Sequence, residues 1–137
     1  MAAALFIDQV TKFTAKNAGI PLHFNTGVSF GIFSGSGKFP AAVSFAVLML
    51  LLAYIFSEKS RICKAERLFL SLTAGGAASN LADRLLLGHV VDWIPLPLSS
   101  VFFAGGLMFN AADAAIGAGA LCAAAALFLR CSGRKLM

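Results

Sequence analysis

Two aspartates, Asp92 and Asp113, are the residues of this sequence best suited to catalysis. Neither has a basic residue beside it, and each stands where a loop meets an apolar segment. Two carboxylates close together in a poorly hydrated site share a proton, because both cannot easily ionise. One can then act as a general base on water while the other, protonated, polarises a carbonyl. Spacing alone leaves open two separately solvated acids.

Two apolar segments each carry small residues, an asparagine and an aspartate at helical spacing. The first set is Gly76, Asn80 and Asp83, and the second is Gly106, Asn110, Asp113 and Gly117. Residues four and seven positions apart lie on one helical face, and small residues let helices approach closely in lipid. The pattern predicts two helices that meet along these faces, with the asparagines hydrogen-bonded across the contact.

Asp83 stands next to Arg84 in the first of these segments. A charged group at membrane depth is costly and needs a partner, and a nearby guanidinium would keep the carboxyl ionised. We therefore expect a structural pair, Asp83 with Arg84. Sequence neighbours point about 100° apart on a helix, so Arg84 is also expected to reach a second acid.

Other chemistries find little support in the sequence. No GxSxG motif occurs, and His23 and His89 form no metal-ligand pattern with the acids. The three cysteines, Cys63, Cys122 and Cys131, lack paired spacing and are expected to be free thiols. No metal or cofactor is expected.

The composition indicates that the segments carrying these residues are embedded in a membrane. Of the 137 residues, 59% are hydrophobic and 12% are charged, whereas soluble domains carry about 25% charged residues. The length allows one domain, residues 1–137, with room for about four spanning helices. The net charge of +5 is spread between apolar runs, so it is interpreted as a topology signal and not as a nucleic-acid-binding surface.

Three apolar runs, residues 40–56, 68–87 and 102–129, are long enough to span a bilayer. The basic run 57–67 and the basic C-terminal tail are placed in the cytoplasm, because cytoplasmic loops are enriched in Lys and Arg. On this topology the four aspartates lie at or toward the outer face. They are Asp8, Asp83, Asp92 and Asp113.

The segments between these runs differ in character. Only seven residues precede Asp8, a helical rise of about 10 Å against a hydrocarbon core of about 30 Å. A helix continuing toward Ala18 would place Asp8 and Lys12 in its middle. Residues 20–39 and 88–100 are rich in Gly, Ser or Pro and predict extended loops or short strands at the outer surface.

Four blocks of the chain resemble the lipoprotein signal peptidases, also called signal peptidase II. In order they read DQVTK at 8–12, FNTGVSFGIF at 24–33, GGAASNLADRLLLGHVVDWI at 75–94 and FNAADAAIGAG at 109–119. The third and fourth blocks, with Asn, Asp and Arg at fixed offsets, are the most specific. Together the blocks extend over almost the whole chain.

The resemblance implies an all-α membrane protein, a bundle of four transmembrane helices with a small extended or β element at the outer face. It implies a multi-pass enzyme of the bacterial cytoplasmic membrane, with both termini cytoplasmic and the active site toward the outer face. Its substrates would be diacylglyceryl-modified prolipoproteins, cut just before the lipidated cysteine. Membrane lipid is the other expected partner, and a monomer is expected.

By position in the blocks, the resemblance assigns catalysis to Asp92 and Asp113. The residues that it implies in substrate binding or support are Asp8, Lys12, Asn25, Gly27, Asn80, Asp83, Arg84 and Asn110. Ser79 and Ser29 stand where the family usually has Gly and Ala, and both changes are expected to be tolerated because the residues are small. The family's first helix has about 15 more residues before the first aspartate, so the first helix here is expected to be truncated.

Two other hypotheses remain from the sequence. A small ion- or proton-coupled transporter would also hold membrane aspartates, although here they gather on one side instead of tracing a path across. A non-catalytic homologue that binds lipoproteins is the second.

Overall fold

A computed structural model describes residues 1–27, 38–57, 62–97, 99 and 106–134, with backbone only for 130–134. The four helices of this part are α1 (Ala2–Asn17), α2 (Lys38–Ser57), α3 (Lys64–Leu87) and α4 (Ala111–Arg134). The strands are β1 (His23–Asn25), β2 (Val90–Asp92), β3 (Ile94–Pro95) and β4 (Met108–Phe109). Ser29, residues 58–61 of the basic run 57–67 and the end of the C-terminal tail lie outside the described residues.

Helices α2 and α4 carry the strongest membrane signal. Lys38–Ser57 and Ala111–Leu129 are long and apolar enough to cross a bilayer, and large apolar side chains such as Leu50, Leu121 and Phe128 are exposed on them. Exposed side chains of this size suit contact with lipid. The described chain is thus mostly helical with small antiparallel sheets, as predicted.

The sequence predicted that Gly106 and Asn110 belong to the helix of the last apolar run, and this prediction is wrong. Met108–Phe109 form strand β4, and the helix begins only at Ala111. Gly106 has φ of +71°, a backbone conformation outside the right-handed helix. The predicted helical stripe therefore loses Gly106, and Asn110 stands just before the helix.

Helix α3 is central, because α1, α2 and α4 all pack against it. A Cβ added at Gly76 would lie 2.5 Å from the carbonyl oxygen of Ala112, and one at Gly119 would lie 2.7 Å from that of Phe69. The backbones of α3 and α4 approach this closely only because both positions are glycine. Gly117, predicted in the contact stripe, has open space around its Cβ position instead.

Helix α1 runs alongside the second half of α3, in the same direction. Met1 and Ala4 lie against Gly75, whereas Lys12, two turns further along α1, contacts Asp83. The 16 residues of the helix include Asp8 and Lys12, as expected for a helix that continues toward Ala18. Both charged side chains are buried.

Two short sheets connect the helix ends. Strand β1 pairs antiparallel with β2, with His23 opposite Asp92 and Asn25 opposite Val90. Strand β3 pairs with β4, with Ile94 opposite Phe109. Gly88, at φ +80°, ends α3 and turns the chain into β2. The strands thereby bring residues 23–25 and 90–92 to the start of α4.

Candidate active site

Asn110 and Asp113 cap the start of α4 reciprocally. The Asn110 Oδ1 accepts from the Asp113 backbone N–H at 2.9 Å, and the Asp113 Oδ2 accepts from the Asn110 N–H at 3.2 Å. This is the geometry of a capping box, with Asn and Asp in the two roles. The predicted catalytic Asp113 is therefore fixed in the first turn of its helix.

Asn110 also reaches the second predicted catalytic residue. Its Nδ2 donates to Asp92 Oδ1 at 2.6 Å, and it lies 3.2 Å from Asn80 Oδ1. Asn110 is fully buried, so these contacts are shielded from water. Asn110 thus contacts both aspartates: its side-chain Nδ2 donates to Asp92, and its backbone N–H and side-chain Oδ1 bind Asp113.

Asp92 ends strand β2 and is 1% exposed. Its second oxygen accepts from Asn25 Nδ2 at 3.2 Å, and Asn25 is held by a hydrogen bond from the Gly27 N–H to its Oδ1 at 3.0 Å. Burial, and then the nearby charge of Asp113, raise the pKa of Asp92 to about 6. Asp92 therefore holds a proton more readily than an ordinary aspartate.

Asp113 receives its other hydrogen bond from α3. Asn80 Nδ2 donates to Asp113 Oδ1 at 2.8 Å, across the close α3–α4 contact. The predicted role of Asn80 and Asn110 as amides bonded across this contact is confirmed. The same contact orders a residue assigned to catalysis.

Lys12 lies buried among three oxygen acceptors. Its ammonium is 2.6 Å from Asp8 Oδ2, 2.7 Å from Asp83 Oδ2 and 3.2 Å from Asn80 Oδ1. An ammonium has three donors, and each finds a partner here. Buried charges are stable only when paired in this way.

The predicted pairing of Asp83 with Arg84 is wrong. The cation that pairs with Asp83 is Lys12, whose ammonium also pairs with Asp8. Arg84 instead donates to the carbonyl oxygens of Gly27 at 2.9 Å and Asn80 at 3.3 Å. Adjacent helical residues point about 100° apart, so Asp83 faces α1 while Arg84 faces the segment after β1.

Two residues that the sequence did not assign to the site also belong to it. Gln9 Nε2 donates to Ser79 Oγ at 2.9 Å and to Asp83 Oδ1 at 2.8 Å, and Ser79 Oγ donates to Asp8 Oδ2 at 2.7 Å. Ser79 could have been found from its spacing, because it lies four residues before Asp83 and so on the same helical face. In the prediction from sequence, Ser79 is only a small residue in place of glycine, and its hydroxyl is not considered.

The site thus brings together every residue that the sequence had placed in it. Three sets of contacts join them, around Asn110, around Lys12 and through the segment 25–27. In the described part of the chain, no group of three or more His, Cys, Asp and Glu side chains is arranged to hold a metal ion. Two carboxylates joined by one amide are suited to acid–base catalysis.

A family model described as signal peptidase (SPase) II matches residues 1–129. The chain belongs to the signal peptidase II family. The aspartates and amides described above come from all four blocks of the sequence that resembled this family.

Similar proteins extend this comparison. Lipoprotein signal peptidases from Chlamydia caviae, Cellvibrio japonicus and Clostridium acetobutylicum are 38%, 34% and 30% identical over 70%, 96% and 95% of this chain. The chain spans 56% of the length of the first, 79% of the second and 92% of the third. A solved bacterial membrane enzyme, determined by the in meso method, superposes with a TM-score of 0.78 at 28% identity, covering 95% of this chain and 85% of that one.

Proposed function

We propose that this chain is an aspartic endopeptidase that removes signal peptides from diacylglyceryl-modified prolipoproteins, cutting just before the lipidated cysteine. The observation that carries the proposal is the contact of Asn110 with both Asp92 and Asp113. Membership of the signal peptidase II family supports the substrate class. Asp92 and Asp113 are the proposed catalytic pair.

In the proposed mechanism the pair shares one proton. The ionised carboxylate takes a proton from water as the water oxygen attacks the scissile carbonyl, while the protonated carboxyl donates to the carbonyl oxygen. Collapse breaks the C–N bond, and the leaving amine takes a proton from the pair. The raised pKa of Asp92, about 6, allows this carboxyl to carry a proton at a higher pH than an ordinary aspartate does.

The remaining site residues hold this pair in place. Asn25 and Asn110 fix Asp92, Asn80 fixes Asp113, and Lys12 with Asp8 and Asp83 ties α1 to α3. Positioning of this kind replaces a bimolecular search by a prearranged geometry. Gly27 and Arg84 order the chain beside Asn25.

The proposed setting is the bacterial cytoplasmic membrane, crossed by α1 to α4 as a single domain and a monomer. The site lies at the end of α3 opposite the basic run 57–67, which favours cytoplasmic termini and a site toward the outer face. Exposed apolar side chains on α2 and α4 would face lipid and the acyl chains of the substrate.

Cleavage of a synthetic diacylated prolipoprotein peptide in detergent tests the proposal. Asp92→Asn and Asp113→Asn should each lower kcat by about 10²- to 10⁴-fold, and the cyclic peptide globomycin should inhibit the unaltered chain. Glu66→Gln makes the same change of carboxyl to amide near the other end of α3 and should retain turnover. Retained turnover in either aspartate variant contradicts the proposed pair.

The same preparation separates the other two functions. Proton or ion flux through liposomes, abolished by Asp113→Asn, would favour a transporter. Binding of the lipopeptide without any turnover would favour a non-catalytic homologue.

A further inference from the structure

The carboxylates of Asp8 and Asp83 each hold a backbone N–H next to a proposed catalytic residue. Asp8 Oδ1 accepts from the Ala112 N–H at 2.8 Å, immediately before Asp113. Asp83 Oδ2 accepts from the Val91 N–H at 3.3 Å, immediately before Asp92. The distance between these two carboxylates therefore affects the distance between the two catalytic ones.

Gln9 and Ser79 connect Asp8 with Asp83. One hydrogen of the Gln9 amide goes to Asp83 Oδ1 at 2.8 Å and the other to Ser79 Oγ at 2.9 Å, while the Ser79 hydroxyl donates to Asp8 Oδ2 at 2.7 Å. Amide, hydroxyl and carboxylate thus follow one another with every donor and acceptor matched.

Ser79 has no alternative partner in solvent, because it is 0% exposed. Lys12 also contacts Asp8 Oδ2, at 2.6 Å, but a flexible ammonium supplies charge with little direction. The hydroxyl, on the short side chain of a packed helix, fixes where Asp8 Oδ2 points. Asp8 Oδ1 is then directed at Ala112.

We propose that Ser79 and Gln9 form a positioning bridge that sets the separation of Asp92 and Asp113 through Asp8 and Asp83. The inference rests on the proposed peptidase function and adds two positioning residues to it. The side-chain hydrogen bonds of Gln9 and Ser79 go to each other, to Asp8 and to Asp83 and not to Asp92 or Asp113, so neither residue is assigned a step in the reaction.

Kinetics of Ser79→Ala on the diacylated peptide test the bridge. The hydroxyl is lost with almost no change in shape, and kcat should fall about tenfold, equivalent to about 1.4 kcal/mol in the barrier, with KM within twofold. Ser79→Cys keeps a weak donor of similar size and should recover part of kcat. A matched control is Ser44→Ala, since Ser44 Oγ only donates to the Pro40 carbonyl oxygen within α2.

A double-mutant cycle tests the connection to Gln9. Gln9→Leu should also lower kcat, and the double variant with Ser79→Ala should lose less than the product of the two single losses. Unchanged kcat in Ser79→Ala, a loss expressed in KM instead, or independent effects of the two changes would each overturn the bridge.

Failure of the bridge is distinguishable from failure of the proposed function. If the unaltered chain cleaves the peptide and Asp113→Asn does not, the peptidase function stands whatever Ser79→Ala does. If Ser79→Ala unfolds in detergent, Ser79→Cys and Gln9→Leu measure the same connection, and normal kcat in both would overturn it.

Discussion

At the scale of single residues, the protonation of the site depends on which hydrogen bonds each carboxylate accepts. Asp92 accepts two side-chain amides, from Asn25 and Asn110, and both stabilise its ionised form. Burial and the charge of Asp113 act in the opposite direction and prevail, which raises the pKa to about 6. Removing either amide therefore shifts the balance further toward the protonated form.

Asn25→Ala should move a limb of the pH profile. The variant loses the hydrogen bond to ionised Asp92, so the Asp92 pKa rises further and the limb of kcat/KM near pH 6 shifts to higher pH by about one unit. The direction is the same whether activity rises or falls through that limb. Thr26→Ala changes an exposed neighbour and should leave the limb in place; an unmoved limb in Asn25→Ala would contradict the assignment.

Lys12→Met should destabilise the fold strongly. It leaves Asp8 and Asp83 buried without their cation, and breaking a buried pair by removing one partner costs about 3–5 kcal/mol. Unfolding in detergent, followed by loss of helical circular dichroism, gives the free energy. Lys16→Met removes an exposed lysine one turn further along α1, and a similar loss there would show that the paired charges are not the cause.

At the scale of elements, the close contact of α3 with α4 holds Asn80 against Asp113. This contact depends on glycines whose added Cβ would meet backbone atoms, Gly76 against Ala112 and Gly119 against Phe69. Backbone atoms cannot rotate away as a flexible side chain can. If either glycine is replaced by a larger residue, the two helices must separate, and this separation would also move Asn80 away from Asp113.

Gly119→Ala should lower the stability of the protein, whereas Gly117→Ala should not. A Cβ at Gly119 overlaps Thr73 and the Phe69 carbonyl, so about 1–3 kcal/mol should be lost through overpacking. A Cβ at Gly117 meets nothing within 4 Å, and the higher helix propensity of alanine should leave stability equal or up to about 1 kcal/mol higher. Unfolding of both variants in the same detergent measures the difference, and equal effects would contradict the proposed contact face.

At the scale of the whole molecule, the site gathers at one end of the helices. Asp92 and Asp113 lie after the end of α3 and in the first turn of α4, whereas Cys63 caps the start of α3 at the other end. If α3 crosses the membrane, these two ends face opposite compartments. The orientation of the protein in the membrane can therefore be determined by testing from which side of the membrane each end of α3 is accessible.

Cysteine labelling should confirm that orientation. Cys63 is exposed, and after Cys122→Ala and Cys131→Ala it should react with a membrane-impermeant maleimide only when the cytoplasmic side is open. Thr26→Cys, near the site, should react in intact spheroplasts. The reverse pattern would place the site in the cytoplasm.

The sequence by itself indicated the membrane character, the proposed aspartate pair and the short strands around it. These features depend on local composition and on motif offsets, which a linear chain displays directly. Only the tertiary structure decided that Lys12 and not Arg84 pairs with Asp83, that Gly119 and not Gly117 meets α3, and that Ser79 joins the site. Each depends on how one helix is rotated and aligned in depth against another, which distant contacts set and local spacing does not.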